Sequence, residues 1–354
     1  MKINVLLLFG GRSSEHAVSL MSAATMNRGL NRSAYHVVKV YISPEGLWRY
    51  YEGPIEEIRE EELIREGAEC TLTVGSEKPV LLVFEQDGSV RRIPVDVALP
   101  ALHGKNGEDG ALQGLFEMAR LPYVGCGVLS SASSMDKITT KRVVESVTRI
   151  CQANYVAVMN YEMKKDPAKV MDRVEASLGY PVYVKPSNAG SSIGVSRAEN
   201  REELKTALEL ALQCDSRILV EEEIRGREIE CAVLGNPETV KASGVGEIMA
   251  ADSFYTYDAK YNNPLSGTVL DPELPSQTVE EIRKDAVSIF RALSGSGLAR
   301  VDFFVENGTG RVVFNEINTL PGFTRISMYP MLWIRQGYSL ESLMDELIRL
   351  GLER

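Results

Sequence analysis

The chain has 354 residues, of which 44% are hydrophobic and 25% are charged, an ordinary globular composition that excludes a disordered or collagen-like protein. This length predicts two or three domains, because a single core rarely extends beyond about 250–300 residues. The net charge of −10 disfavours nucleic acid or an anionic membrane as a general partner.

The N-terminal segment, the lack of a long apolar run and the cysteine pattern all favour a cytoplasmic protein. Residues 1–5 lead directly into a strand-like run without a signal-peptide pattern, and no apolar run approaches the roughly 18 residues of a membrane span. The five cysteines are far apart and show no CxxC spacing, which disfavours a zinc site or disulfide framework and suits a reducing cytosol. The presence of only three histidines excludes a His-rich metal site.

The first part of the chain alternates between strand and helix patterns. The apolar run 3–9 predicts a strand buried on both faces of a parallel sheet, and Ser13 is the expected cap of the helix that follows. Further strands are predicted at 37–42, 80–84, 95–102 and 122–124, with a helix at 111–119. This alternation predicts an open α/β domain over residues 1–125.

Two further blocks follow, with expected bounds of 126–217 and 218–354. In the first block we expect a helix after Asp136, strands at 155–158 and 181–185, and helices at 167–178 and 201–214. The second block is richer in strands, which we expect at 218–221, 228–234, 299–305 and 311–317. Helices at 279–293 and 339–350 complete it.

Polar residues interrupt two apolar strand patterns near the C-terminus. On the first strand Arg300 and Asp302 share a face, and on the second Phe314, Glu316 and Asn318 are expected to share one. Carboxylate and amide oxygens are ligands suited to Mg²⁺, and Arg300 suits a phosphate or an oxyanion. The alternative is a structural salt bridge or a solvent-facing strand edge.

A loop of small residues follows Lys185 and extends to Ser196. Glycine and serine residues let backbone N–H groups and hydroxyls approach phosphate oxygens, although an ordinary turn would have the same composition. Because the lysine precedes the glycines, the segment is not a P-loop of the GxxxxGK[ST] type.

Two turns at the ends of predicted strands carry polar residues. Segment 103–110 surrounds two carboxylates and His103 with glycines, and ligands favour this edge of an open α/β sheet. The turn after Gly10 carries Glu15, which could bind an ammonium group or could merely favour the helix dipole. This turn lacks GxGxxG, so a dinucleotide-binding dehydrogenase is disfavoured.

Residues 254–275 show no periodicity and contain several tyrosines, which predicts a lid.

Taken in order, these segments resemble the D-alanine–D-alanine ligases of the ATP-grasp superfamily. The matching segments are 10–19, 103–114, 134–137, 185–196, 221–235, 257–261, 300–303 and 315–330. The resemblance implies an α/β ATP-grasp fold, in which an N-terminal open parallel-sheet domain precedes central and C-terminal α+β domains that clamp ATP. It implies a ligase that makes D-alanyl-D-alanine for peptidoglycan precursors from D-alanine and ATP, as a homodimer.

The resemblance also implies which residues bind the nucleotide and the metal. The nucleotide set is Lys137, Lys185, Ser191, Ser192, Glu221, Glu228 and Lys260, with the lysines on phosphates, Glu221 beside the adenine and Glu228 on the ribose. Asp302, Glu316 and Asn318 would bind magnesium, as two ions for which manganese can substitute. This metal set agrees with the strand argument made without the family.

The remaining roles concern the amino-acid substrates. Glu15 would bind the ammonium of the first D-alanine near His103, and Ser191 and Tyr261 would join Glu15 in a hydrogen-bonded set that closes the lid. Arg300 and the backbone of Gly322 would stabilise the oxyanion. Ser327 and Met328 would line the second-substrate pocket.

The choice of the second substrate rests on a few positions. An apolar Met328 suits the methyl group of D-alanine, and D-serine-forming relatives tend to carry a basic residue there. Tyr329-Pro330 nevertheless resembles the D-serine group, while Lys260 and Tyr261 disfavour D-lactate. D-alanine is the expected acceptor, and D-serine is the alternative.

Departures from the family pattern and rival functions remain. Residues 149–152 replace the usual Gly-Ile-Pro turn, and Glu222-Glu223-Ile224 is more acidic than expected beside an adenine.

One rival function is that of another ATP-grasp carboxylate–amine ligase, which would not need Glu15, His103 and Tyr261. A nucleotide-binding regulator without catalysis would show gaps in the set from Arg300 to Asn318, and none is present.

Overall fold

The computed structural model describes residues 2–55, 67–190, 193–249 and 267–354. Within these residues the strands form three sheets that follow one another along the chain. None of the described helices is both long and apolar enough to cross a membrane.

The first sheet has the order β6-β5-β4-β3-β2-β1-β7. Its strands are β1 (Ile3–Gly10), β2 (Tyr35–Ile42), β3 (Trp48–Tyr50), β4 (Ala68–Leu72), β5 (Val80–Phe84), β6 (Val90–Pro94) and β7 (Val97–Ala101). Among the described strands of this sheet, β1 pairs in parallel with β2 and with β7, and β7 makes one parallel bridge with Tyr123, while β3 to β6 extend the sheet in antiparallel pairs. The expected parallel sheet is therefore a mixed one, because links such as residues 85–89 are too short for a parallel crossover.

Among the described residues of this part of the chain, helices α1 (His16–Gly29) and α2 (Ala111–Ala119) accompany the first sheet. The residue at the N-cap of α1 is Glu15 and not the expected Ser13. The Ser13 hydroxyl instead accepts a hydrogen bond from the Glu15 backbone N–H at 3.1 Å, so it shapes the turn just before the helix.

The second sheet has the order β10-β9-β11-β8, with antiparallel pairing throughout the described strands. The strands are β8 (Tyr155–Met159), β9 (Val182–Pro186), β10 (Ser196–Ala198) and β11 (Arg217–Glu222). The helices of this part are α3 (Val128–Met135), α4 (Lys137–Val147), α5 (Asn160–Lys165), α6 (Pro167–Ser177) and α7 (Arg201–Cys214). Asp136 caps α4 by accepting from the Thr139 N–H at 2.7 Å, which fixes where this helix begins.

The third sheet has the order β14-β13-β12-β15-β16 and is also antiparallel. Its strands are β12 (Gly226–Leu234), β13 (Lys241–Met249), β14 (Gly267–Leu270), β15 (Leu298–Glu306) and β16 (Val312–Asn318). Helices α8 (Ser276–Ala292), α9 (Met328–Arg335) and α10 (Leu340–Leu352) complete the chain. Leu343 and Leu347 of α10 share a core with Leu7 and Leu99, so the last helix packs against the first sheet.

A bulge in β16 changes which residues share a face. Asp302 lies opposite Glu316, but the next residue, Phe303, lies opposite Phe314, so Asn315 is the extra residue. The expectation that Phe314 shares a face with Glu316 is therefore wrong. Phe314 packs on Phe303 in the core, with ring centroids 6.1 Å apart, while Glu316 keeps the face of Asp302.

Candidate active site

A cleft of about 1020 Å³ lies between the second and third sheets and reaches the first. Its described lining contains eleven of the residues singled out in the sequence. These are Glu15, His103, Lys137, Lys185, Glu221, Glu228, Arg300, Asp302, Glu316, Asn318 and Gly322. Residues that are far apart in the chain thus face one space of the size that a small-molecule site requires.

Asp302 is the centre of a buried polar cluster on β15 and β16. Arg300 donates to both of its carboxylate oxygens, from Nε at 2.8 Å and Nη2 at 2.7 Å, and Asn318 Nδ2 donates at 3.0 Å. The Nε of Arg300 also lies 3.2 Å from Glu230 Oε1 on β12. Burial alone would lower the pKa of Arg300, but Asp302 and Glu230 outweigh it and raise that pKa well above its ordinary value. The guanidinium therefore keeps its charge.

Glu316 faces the same cluster and is paired with a lysine from α4. Lys137 Nζ lies 3.3 Å from Glu316 Oε2 and donates to the Ala189 carbonyl at 2.8 Å. Burial acts to raise the pKa of Glu316, but Lys137, Lys185 and Arg300 together lower it below its ordinary value. Glu316 is thus an ionised carboxylate next to a row of cations.

Glu221 on β11 lies between two lysines. Lys141 Nζ is 2.6 Å from its Oε1, and Lys185 Nζ is 2.6 Å from its Oε2. Burial would raise the pKa of Glu221, but the two lysines outweigh it and hold that pKa at about 2. Burial likewise acts to lower the pKa of Lys185, and Glu221 reverses this, so the net shift is upward. Glu221 and Lys185 are therefore both charged.

The two glutamates that follow Glu221 each have hydrogen-bond partners within the protein. Glu222 accepts from the backbone and side-chain nitrogens of Asn154 at 2.8 and 3.1 Å. Glu223 accepts from Arg197 Nε at 2.6 Å and Arg225 Nε at 2.7 Å. Glu223 is therefore balanced by two arginines, and Glu222 is held by hydrogen bonds to a neutral residue. Glu228, one strand further on, lines the cleft.

The connection 149–152, which departs from the family turn, is held at both sides. Phe314 N–H donates to the Cys151 carbonyl at 2.9 Å, and Gln152 Nε2 donates to the Lys141 carbonyl at 3.2 Å. This segment thereby links β16 to α4 beneath the cleft.

Glu15 lies where the first sheet meets the loop after β9. A Cβ atom added to Gly104 would be 2.7 Å from Glu15 Oε2, and one added to Gly190 would be 2.9 Å from it. A side chain at either glycine would therefore require the Glu15 carboxylate to move. The nearby Glu108 accepts from the Gly104 N–H at 2.9 Å, and burial together with Glu15 raises the pKa of Glu108 to about 8.

His103 is held by hydrogen bonds on both ring nitrogens. Its Nδ1 lies 2.9 Å from the Leu320 carbonyl, and its Nε2 lies 2.9 Å from the hydroxyl of Ser22 on α1. The same hydroxyl accepts from the Phe323 N–H at 3.1 Å. Gly322 lies between Leu320 and Phe323, which these hydrogen bonds hold in place. Helix α1 and His103 therefore fix the turn that carries the Gly322 backbone N–H.

Ser327 and Met328, the two residues expected to line the second-substrate pocket, lie at the start of α9. The described lining of the cleft includes neither Ser327 nor Met328. Met328 is buried in the core, and a Cβ atom on Gly246 of β13 would be 2.2 Å from its sulfur. The Ser327 hydroxyl accepts from the Thr324 N–H at 2.9 Å. The apolar character of Met328 is explained by this packing against β13.

Four of the predicted site residues, Ser191, Ser192, Lys260 and Tyr261, lie outside the described residues, as does most of the expected lid.

Sequence reasoning missed Lys141, Glu230 and Ser22 and gave Glu108 no role. Glu230 alternates with Glu228 on an otherwise apolar strand, the same signal that identified Asp302, and could have been found. Lys141 and Ser22 lie in ordinary helical sequence, and only the fold shows that they are buried.

The oxygen groups fit a hard divalent cation. Asp302 and Glu316 are cross-strand partners, and the Asn318 amide is adjacent. Over the described parts of the chain, no three His, Cys, Asp or Glu side chains are grouped to bind a metal ion, so the amide is needed as the third ligand. Carboxylate and amide oxygens suit Mg²⁺ or Mn²⁺ and not zinc.

Comparison with protein families gives two matches that together cover most of the chain. Residues 4–126 match the model described as the D-ala D-ala ligase N-terminus, and residues 144–349 match the D-ala D-ala ligase C-terminus.

Full-length relatives carry the same description. A D-alanine–D-alanine ligase from Acetivibrio thermocellus is 47% identical, and the match covers 100% of this chain and 96% of the relative. A ligase of the same name from Thermoanaerobacter sp. strain X514 is 44% identical, with 99% and 97% covered.

Solved structures agree in fold. The D-alanine–D-alanine ligase from Coxiella burnetii superposes with a TM-score of 0.88 at 34% identity, covering 100% of this chain and 94% of that one. The VanG D-Ala:D-Ser ligase from Enterococcus faecalis gives 0.84 at 35% identity, covering 99% and 100%.

Proposed function

Since the chain belongs to the D-alanine–D-alanine ligase family and has its ATP-grasp fold, we propose that it joins two D-alanines at the expense of ATP, through a D-alanyl phosphate. The product is D-alanyl-D-alanine for peptidoglycan precursors. The observation that carries the proposal is one cleft in which paired lysines, an oxygen-ligand set and Glu15 face each other.

The lysines of the cleft suit the phosphates of a nucleotide. Lys137 and Lys185 are each partly exposed to the cleft and each rests on a carboxylate, from which it can move to a phosphate oxygen. Glu221 would flank the adenine and Glu228 would bind the ribose. Ser191, Ser192 and Lys260 complete the proposed nucleotide set.

Asp302, Glu316 and Asn318 would hold the metal, which we propose to be two Mg²⁺ ions with Mn²⁺ as a substitute. Such a cation neutralises phosphate charge and so favours phosphoryl transfer. Arg300 and Lys137 balance Asp302 and Glu316 in the protein alone.

The substrate residues follow from the charges that the reaction develops. Glu15 would hold the ammonium of the first D-alanine, next to His103. The carboxylate of that D-alanine would take the γ-phosphoryl group of ATP, with ADP released, to give an acyl phosphate. The amine of the second D-alanine, after losing a proton, would then attack the acyl carbon, and phosphate would leave as the amide bond forms. Arg300 and the Gly322 N–H would stabilise the oxyanion, as preorganised donors do. Closure by Tyr261 would exclude water, which hydrolyses an acyl phosphate.

D-alanine is the proposed acceptor, and D-serine is a second candidate. The specific observation for D-serine is the Tyr329-Pro330 pair, together with the VanG D-Ala:D-Ser ligase among the structural relatives. Both residues are buried, and the Tyr329 hydroxyl donates to the Val233 carbonyl at 3.2 Å. This pair therefore has a packing role, which weakens its use as a marker of the acceptor.

Three further points belong to the same proposal. The three sheets would mark three domains with bounds of 1–125, 126–217 and 218–354. The reaction's need for ATP supports a cytoplasmic location. A homodimer follows from the resemblance, and light scattering on the purified chain would measure it.

Phosphate release from ATP, followed by mass spectrometry of the products, tests the proposal. D-alanine alone should stimulate release and yield D-alanyl-D-alanine. If no D-amino acid stimulates release, the proposed function fails, whereas a predominant D-alanyl-D-serine product with mixed substrates overturns the acceptor only. Asp302→Asn should abolish release, while Asp87→Asn, at an exposed turn of the first sheet, should not.

A further inference from the structure

Lys141 is a buried lysine with no part in the mechanism above. Its side chain is 2% exposed, and its Nζ meets Glu221 Oε1 at 2.6 Å, on the opposite oxygen from Lys185. The Nζ also lies 5.5 Å from the centre of the Tyr155 ring. A sheltered cation of this kind is retained only where it balances a buried charge.

The two lysines on Glu221 differ in what they can reach. The side chain of Lys185 is 18% exposed and lines the cleft, whereas Lys141 is not among the described residues that line it. Lys185 can therefore transfer to a ligand, and Lys141 cannot.

We propose that Lys141 is a positioning residue that remains as the counter-ion of Glu221 when Lys185 moves to a nucleotide phosphate. The inference rests on the proposed function, in which Lys185 binds phosphate. With one lysine alone, departure of Lys185 would leave a buried carboxylate unbalanced, which is strongly unfavourable. With two, the carboxylate keeps one partner, and Lys185 is free to exchange. Lys141 thus makes the phosphate site available without touching the nucleotide.

A purely structural role makes a different prediction. Lys141 also ties α4 to β11, so its loss could simply loosen the helix. Arg217 offers a matched control, because its Nη1 lies 2.7 Å from Asp136 Oδ2 and links the same strand to the start of the same helix. Arg217→Met breaks this link without altering Glu221.

The experiment measures ATP and adenosine binding by calorimetry, with Mg²⁺ and without D-alanine, in the full chain. Lys141→Met should weaken ATP binding by about tenfold or more and adenosine binding by less than about threefold, since adenosine has no phosphate. Arg217→Met should lower the unfolding temperature but leave ATP binding within about threefold of wild type. Equal loss of ATP binding in both variants, or none in Lys141→Met, would overturn the inference.

A second comparison decides the matter even if Lys141→Met does not fold. In the Glu221→Gln background there is no carboxylate for Lys141 to balance, so adding Lys141→Met should change ATP binding by less than about threefold. A further tenfold loss in the double variant contradicts the counter-ion role. Failure of the wild-type chain to bind ATP at all would instead count against the proposed function.

Discussion

The hydroxyl of Ser22 links α1 to both His103 and the turn that carries Gly322, and its removal tests how this turn is positioned. A carbonyl can only accept, so His103 Nδ1 donates to Leu320, and a neutral ring must accept at Nε2 from the Ser22 hydroxyl. The Phe323 N–H donates to the same oxygen. Ser22→Ala therefore removes both of these hydrogen bonds.

The expected cost in stability follows from those two hydrogen bonds. Each hydrogen bond contributes about 0.5–1.5 kcal/mol to stability, so we expect the loss of two in Ser22→Ala to lower the free energy of unfolding by about 1–3 kcal/mol. Ser19→Ala is the matched control on the same helix, since Ser19 is equally buried and joins the Gly10 N–H, at 2.7 Å, to the Ala101 carbonyl. Its loss of stability should be similar.

Activity should separate the two variants. Ser22→Ala frees the Leu320–Phe323 turn and should lower kcat by about tenfold, or about 1.4 kcal/mol, whereas Ser19→Ala should keep kcat within about twofold of wild type. Urea denaturation measures the first quantity and phosphate release the second. Equal kcat in both variants, despite equal destabilisation, would refute the role given to Ser22.

Other predictions concern pH and the lid. The pKa of Glu221 lies at about 2, below its ordinary 4.5, so the stability that Glu221 contributes is present above pH 4.5 and is lost as the pH falls towards 2. Glu221→Gln should remove about 3 kcal/mol of this pH dependence, measured by urea denaturation. An acid profile that is unchanged in Glu221→Gln would contradict this. The contribution of Glu108 to stability depends on pH in the opposite direction, because its pKa is raised to about 8 and stability is lost as the pH rises from 4.5 to 8. Glu108→Gln should therefore unfold at a higher urea concentration than wild type at pH 8.5 but not at pH 4. Lys260→Ala and Tyr261→Ala should each lower turnover without changing the unfolding temperature, and wild-type turnover in both would count against the lid.

Regular elements with a strong pattern could be predicted from the sequence almost to the residue. The helix Arg201–Cys214 has the expected bounds because its apolar residues recur at helical spacing and Asn200 caps it, accepting from two backbone N–H groups. The helix Val128–Met135 was missed because its sequence consists largely of small serine residues. Strand β6 was missed because it is short, charged and exposed at the edge of its sheet.

The candidate site was predictable where a polar residue interrupts an apolar strand. Asp302 and Glu316 stand out for this reason, and the structure places them opposite each other. The bulge at Asn315 has no signal in the sequence, so strict alternation misplaced Phe314. Lys141 could not be recognised either, because burial of a helical lysine depends on which strand packs beside it.

The central claim is that side chains from β15 and β16 together bind the divalent cation used with ATP. A crystal of the chain grown with a non-hydrolysable ATP analogue and Mn²⁺ tests it through the anomalous signal of manganese. We expect a manganese peak within bonding distance of oxygens from Asp302, Glu316 and Asn318, with Arg300 nearby. A manganese peak elsewhere in the cleft, with these three side chains still bound only to protein groups, would contradict it.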